Sequence, residues 1–259
     1  MIAKLIQPNK YLPTLMQLMT PLGIWYAYQL HVSSWWWALT LLMFLGYRMI
    51  GHGVGLHRYY CHAQFTVGKV SEVVLGWFAL MSCVGSPASY TMVHLVHHRY
   101  CDTELDPHGP RNGLRSILYC FWHPPYNLEK TPMFGRRLTQ LLPYMWIHNW
   151  YLILIIINSI LLYMIDIKLF IFMWWLPASF TIWELVFSVY ISHIRHGKIE
   201  PVNHSNIAGW LLPFHEYLHK THHNYPMLSN LATNKYEFDY THQLSRIFAK
   251  TWKQKQLKD

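Results

Sequence analysis

The stretch His94-Leu95-Val96-His97-His98-Arg99-Tyr100-Cys101-Asp102-Thr103-Glu104-Leu105-Asp106-Pro107-His108-Gly109 decides how the rest of the chain is read. On a helix His94, His97 and His98 stand at i, i+3 and i+4, so three imidazoles share one face. The spacing returns at His219, His222 and His223, in His-Lys-Thr-His-His. A third cluster pairs His57 with His62, in His-Arg-Tyr-Tyr-Cys-His. One such triplet is equally a surface accident or a small zinc site. Two triplets and a pair in so apolar a chain point to metal. Imidazole suits zinc, copper, iron and nickel alike, but eight ligands exceed a four-coordinate zinc site and indicate two ions.

The surroundings of these clusters are those of a membrane protein. Hydrophobic residues make up 53% of the 259 and charged residues 13%, against about 25% charged in soluble domains. Thirteen Trp and eighteen Tyr suit an extensive membrane–water interface. The net charge of +9 is not gathered into a basic stripe, so nucleic acid is not expected as a partner. Cys61, Cys83, Cys101 and Cys120 show no paired spacing, which speaks against a disulfide framework or a zinc ribbon and for a reducing compartment. No cleavable signal peptide is evident. The chain reads as a single domain over 1–259, with a polar lead-in at 1–10 and a mobile polar tail at about 253–259.

Four apolar stretches are candidate spans: Leu12 to Leu30, Ser34 to Ile50, Met145 to Ile165 and Leu169 to Ser192. The first is the weakest, interrupted by Pro13, Pro21 and Gly23, and a buried or interfacial helix is its alternative. Crossing a ~30 Å hydrocarbon core takes about 20 residues. The short links within each pair imply two antiparallel hairpins. A fifth stretch, Val67 to Ala88, is long enough to cross. Doing so would part the first two clusters, so the metal reading requires it to lie in or on the membrane. Segments 51–144 and 193–259 hold eight and nine Lys and Arg, the two short links one. The clusters and both termini are therefore expected on the cytoplasmic side.

Local geometry leaves two questions open. His52/His57 and His57/His62 share the same spacing. The glycines around His52 look like a helix ending, so His57 and His62 are the ligands expected. Residues five apart differ by roughly 140° around an α-helix, so the two would serve separate ions or straddle a helix distortion. Glu184, inside the fourth span, is costly in lipid and must face protein, water or a channel. A hydrogen-bonding role and a place lining a substrate channel are both consistent with it.

In order and content, these clusters resemble the three histidine boxes of the membrane fatty acid desaturases, most of all the acyl-CoA branch. That branch carries His-Arg-x-x-x-His, then His-x-x-His-His with a following Asp-Pro-His, then Glu-x-x-His-x-x-His-His ahead of a Pro. Here these are His57 to His62, His94 to His108 and Glu216 to Pro226. The resemblance implies an all-α integral membrane protein with four transmembrane helices in two hairpins and a cytoplasmic helical cap. It implies a di-iron centre carried by that cap. It implies dioxygen-dependent desaturation of a long-chain fatty acyl substrate within membrane lipid. It implies electrons from a separate ferredoxin, rubredoxin or small haem carrier. It also implies a ninth ligand just past the fourth span, His193, with His196 its rival one turn on. Asp106 and Glu216 are the carboxylates expected behind ligands, chosen from Asp102, Glu104, Asp106, His108 and Glu216. The chain is shorter than the animal enzymes, which favours a bacterial inner membrane over the endoplasmic reticulum.

Three positions depart from the family pattern: Leu95 stands for an Arg, His215 for a Gly and Val189 for an Asn. That Arg helps meet the CoA portion, so Leu95 narrows the lead of acyl-CoA, which the resemblance still favours as carrier over acyl-lipid or acyl-carrier protein. A hydroxylase or alkene-forming decarboxylase uses the same histidine scaffold. His215-Glu216-x-x-His219 also spells a zinc protease signature. It lies in polar sequence, however, and gives the other histidines no purpose.

Overall fold

A computed structural model describes residues 11–107, 109–119, 140–204 and 217–253. Three helical stretches are long and apolar enough to cross a membrane: Ser34–Cys61, Met145–Ile165 and Leu169–Ser192. A further helix, α1 (Tyr11–Gln29), runs unbroken through Pro13 and Pro21. At 19 residues it is not one of those three. It packs against the last of them. There Gly23 lies so close that a Cβ would stand 3.0 Å from the Leu176 side chain.

The second span is longer than the sequence suggests. It begins as α2 (Ser34–Leu45) and continues through Gly46–Cys61 as a π-helix, with no helix end at the glycines around His52. The glycines serve packing instead. The neighbouring helix α3 (Lys69–Met81) lies against this stretch. A Cβ on Gly46 would come within 2.5 Å of the Phe78 ring, and one on Gly51 within 2.4 Å of the Phe78 carbonyl oxygen. The wider turn matters for the ligands, because i→i+5 bonding brings residues five apart towards one face. His62 N–H donates to the His57 carbonyl at 3.0 Å, closing such a turn.

The fourth span also opens as a π-helix, Leu169–Trp175, before α7 (Leu176–Ser192). Pro177 has no N–H to offer, so the carbonyls of Phe172 and Met173 lose their partners in the π and α registers respectively. Side chains of the second span replace them. Thr40 donates to the Phe172 carbonyl at 3.0 Å and Tyr47 to that of Met173 at 2.8 Å. In lipid an unmet carbonyl costs several kcal/mol, so these bonds join the two spans. The third span, α6 (Met145–Ile165), lies beside the same π-helical segment and exposes most of its apolar surface.

The apolar stretch Val67 to Ala88 resolves into the 13-residue α3 and a buried connector. Thirteen residues extend about 20 Å, too short to cross. The connector reverses the chain through Cys83 and Gly85, at φ 58° and 153°. It leads into α4 (Pro87–Tyr100), capped by Ser86, whose hydroxyl accepts the Ser89 N–H at 3.2 Å. A short helix, α5 (Arg115–Tyr119), follows.

Beyond α7 come a two-stranded hairpin, β2 (Ile194–Arg195) with β3 (Lys198–Ile199), the short α8 (His219–Asn224), and α9 (Tyr240–Phe248). Strand β4 (Ala249–Trp252) pairs with β1 (Phe65–Val67), tying the C-terminal segment to the end of the second span. Arg58 reinforces this tie. Its guanidinium donates to both Asp239 oxygens, at 2.9 and 3.0 Å, and to the Ser229 carbonyl at 2.8 Å.

Candidate metal centre

The nine histidines expected as ligands come from four places: the π-helical end of the second span, α4, the C-cap of α7, and α8. All nine converge. In one group lie His57, His62, His94, His98 and His222. Their Nε2 atoms stand 3.0 Å apart for His57 and His222, 3.1 Å for His62 and His94, 3.0 Å for His94 and His98, and 2.9 Å for His98 and His222. In the other lie His97, His193 and His223. His219 joins them, with its Nε2 2.8 Å from that of His193 and 3.0 Å from that of His223. His97 and His223 meet at 3.2 Å.

The division does not follow the sequence clusters. On α4 the i/i+4 pair His94 and His98 goes to the first group and His97 to the second. On α8 the i/i+4 pair His219 and His223 goes to the second group and His222 to the first. Each helix therefore stands between two ligand sets and feeds both. His57 and His62 fall in one set, an arrangement the π-helical turn allows.

The donors fit a metal. Imidazole nitrogens about 2.0–2.1 Å from an ion and at right angles around it lie about 3 Å from one another, the spacing seen here. The electrostatics favour the neutral, ligating form. Burial, then the neighbouring imidazoles, holds His62, His94 and His222 well below the ordinary histidine range. Behind the rings, carboxylates fix the tautomer. His97 donates from Nδ1 to Asp106, at 2.9 and 3.0 Å, and His193 donates from Nδ1 to Asp102 Oδ2 at 3.1 Å. Each leaves its Nε2 lone pair turned to the centre. The Asp102 N–H in turn donates to Asp106 at 2.7 Å.

Asp102 is the residue sequence reasoning passed over in favour of Asp106 and Glu216. The signal was present in its position, four residues before Asp106 and four after His98. Its left-handed backbone, φ 60°, turns it under His193 and is not readable from spacing. Cys101 was also missed. Its sulfur lies within 4.8 Å of the ligand atoms of the second group. It is, however, 3.8 Å from His193 Nδ1 and 3.4 Å from Asp102 Oδ2, so it sits behind the ring. Burial and the two aspartates push this thiol up.

His196 is no rival in this arrangement. The helix stops at Ser192, and His196 lies exposed in the tight turn of the β2–β3 hairpin, at φ 49°, not on a shared helical face. His52 belongs to neither group. It is held by Arg48, which the sequence analysis did not single out. Arg48 also pairs with Glu184, which therefore faces protein. His108, His215 and Glu216 lie outside the described residues, and with them most of the protease-like signature.

A largely helical chain with three apolar helices and a histidine-rich metal-binding cluster is a membrane metalloprotein. The fatty acid desaturase family model matches residues 34–254, and the chain belongs to that family of oxidoreductases. Among relatives, a hex-5-enoyl-[acyl-carrier protein] acetylenase of Moorena producens is 33% identical over 100 residues, 34% of this chain and 31% of that one. The sn-2 palmitoyl-lipid 9-desaturase of a Nostoc species is 26% identical over 85% of this chain and 81% of its own length. An acyl-CoA 5-desaturase of Anemone leveillei is 28% identical over 63% of this chain and 51% of its own.

Proposed function

We propose that the protein introduces a double bond into a long-chain fatty acyl group at a di-iron centre, with dioxygen as oxidant. His57, His62, His94, His98 and His222 hold one iron, and His97, His193, His219 and His223 the other. The observation that carries this reading is the exchange of ligands between α4 and α8, which makes two adjacent all-imidazole sets. Reduced iron supplies the dioxygen activation that removing hydrogen from an unactivated methylene pair requires. One dioxygen, two electrons and two protons, together with the two hydrogens taken from the methylene pair, would leave as two waters, and the carbon–carbon bond would gain a second link.

The chain's own residues supply the setting. Asp106 and Asp102 orient His97 and His193, and Glu216 is proposed for a similar role. The buried walls keep the imidazoles neutral and water away. Positioning of one carbon pair then selects the bond that reacts. We place α1 as a fourth membrane helix completing two hairpins, with the metal centre and both termini cytoplasmic. A separate ferredoxin, rubredoxin or haem carrier reduces the iron there.

For the carrier, the resemblance of the histidine clusters favours acyl-CoA. The absence of an Arg at Leu95 and the near full-length similarity to an acyl-lipid desaturase support acyl-lipid instead. Expression in a host lacking desaturases, with mass spectrometry of lipids, tests the reaction. A new double bond in intact membrane lipid is expected, and a hydroxylated or chain-shortened alkene product would overturn it. Supplying acyl-lipid, acyl-CoA and acyl-carrier protein to membranes with one electron donor tests the carrier. Elemental analysis should find two irons per chain, and His97→Ala or His222→Ala should abolish turnover without preventing membrane insertion.

A further inference from the structure

Arg48, His52, Glu184 and Ser188 form a polar array inside the second and fourth spans. Arg48 pairs through Nε with Glu184, whose other oxygen accepts the Ser188 hydroxyl. Arg48 Nη1 lies 2.6 Å from His52 Nδ1. Guanidinium only donates, so this nitrogen is the acceptor and His52 is neutral, with its proton on Nε2. The Arg48 and Glu184 side chains are 4% and 15% exposed.

Stability does not account for such an array. Desolvating a buried ion pair offsets its attraction, and apolar replacements of both partners are often neutral or stabilising. Ionisable groups within spans are costly and mark functional positions. The array ends on the metal centre. The His52 ring is parallel to that of His57, centroids 6.1 Å apart, and meets the Tyr90 ring edge-on at 5.2 Å. Tyr90 in turn stacks on His94 at 5.4 Å. One fixed imidazole therefore backs two ligands of the first group, on two different helices.

We infer that Glu184, Arg48 and His52 are positioning residues for the first metal position. The ion pair fixes Arg48, Arg48 fixes the His52 ring, and that ring sets the angles of His57 directly and of His94 through Tyr90. The inference rests on the ligand assignment proposed above. Losses of about 10- to 100-fold in metal affinity are usual when outer partners of ligands are removed, and a loss of that size is expected at the first position alone.

The test is the double variant Arg48→Leu with Glu184→Leu, and separately His52→Phe, which keeps a ring against Tyr90 but cannot accept from Arg48. Both are purified as the iron-loaded full chain, with iron content, 57Fe Mössbauer spectra and thermal midpoint measured. Expected in both is iron falling from two towards one and loss of one of two spectral components. Two irons with unchanged spectra in His52→Phe would overturn the inference, and that variant decides if the double variant does not fold. Equal loss from both positions with a lowered midpoint would show a mere structural clamp and overturn it too. Fewer than two irons in the unaltered protein would instead break the ligand assignment.

Discussion

Asp102 holds His193 from behind, its Oδ2 accepting from Nδ1 at 3.1 Å while the opposite nitrogen meets His219 at 2.8 Å. The same carboxylate takes the Cys101 thiol at 3.4 Å. A carboxylate so placed orients the ring and raises its basicity. Asp102→Asn should therefore lower iron affinity at the second position by about 10- to 100-fold. His193→Ala should remove that iron, and His196→Ala should change neither iron nor product. Iron analysis of the three variants checks this, and loss of iron in the His196 variant alone would reverse the assignment.

Acid should release the metal and loosen the fold together. Folded His62, His94 and His222 resist protonation, with values well below that of a free histidine, mainly through burial. An unfolded histidine titrates near 6.5. Below that pH the unfolded chain takes up protons that the folded chain refuses, so stability falls as pH falls and levels off above about 6.5. Bound metal acts in the same direction, since it requires neutral imidazole. Iron retention and thermal midpoint measured from about pH 8 to 5 should both drop below about pH 6.5. A flat profile would count against the neutral cluster.

Gly51 and Gly53 should respond differently to alanine. A Cβ at Gly51 would lie 2.4 Å from the Phe78 carbonyl oxygen and 2.6 Å from its carbon, backbone that cannot turn aside. At Gly53 the nearest atom is the Thr241 methyl, at 3.4 Å. Gly51→Ala should cost about 1–3 kcal/mol through overpacking and push α3 from the π-helix, whereas Gly53→Ala should be tolerated. Thermal unfolding in detergent distinguishes them, and equal midpoints would deny the close packing.

The Arg58–Asp239 pair joins the second span to the C-terminal segment. Asp239 also accepts the Leu231 N–H at 2.8 Å and caps α9 through the His242 N–H at 2.8 Å. Removing one partner of a buried pair costs about 3–5 kcal/mol. Asp239→Ala should accordingly lower stability by that order and release β4 from β1. Faster amide exchange in residues 249–252 would report the release, and protected amides there would contradict it.

Much of the centre was legible because it is local. Three histidines at i, i+3 and i+4 share a helical face wherever the helix lies, so α4 and α8 declared themselves as ligand carriers. Apolar length likewise marked the three helices able to cross a membrane, since burying about 20 residues in hydrocarbon needs no knowledge of neighbours. Tertiary structure alone decided how the ligands divide. Which set an imidazole joins depends on what stands on either side of its helix, and that separates His97 from His98. The π-helix from Gly46 was hidden for the same reason. Its wider turn depends on packing against α3, and from sequence the glycines that permit this look like a helix end. The pairing of Arg48 with Glu184, 136 residues apart, is the extreme case. The sequence requires each buried charge to have a partner, because lipid offers none, but only the packing of the second span on the fourth names which one.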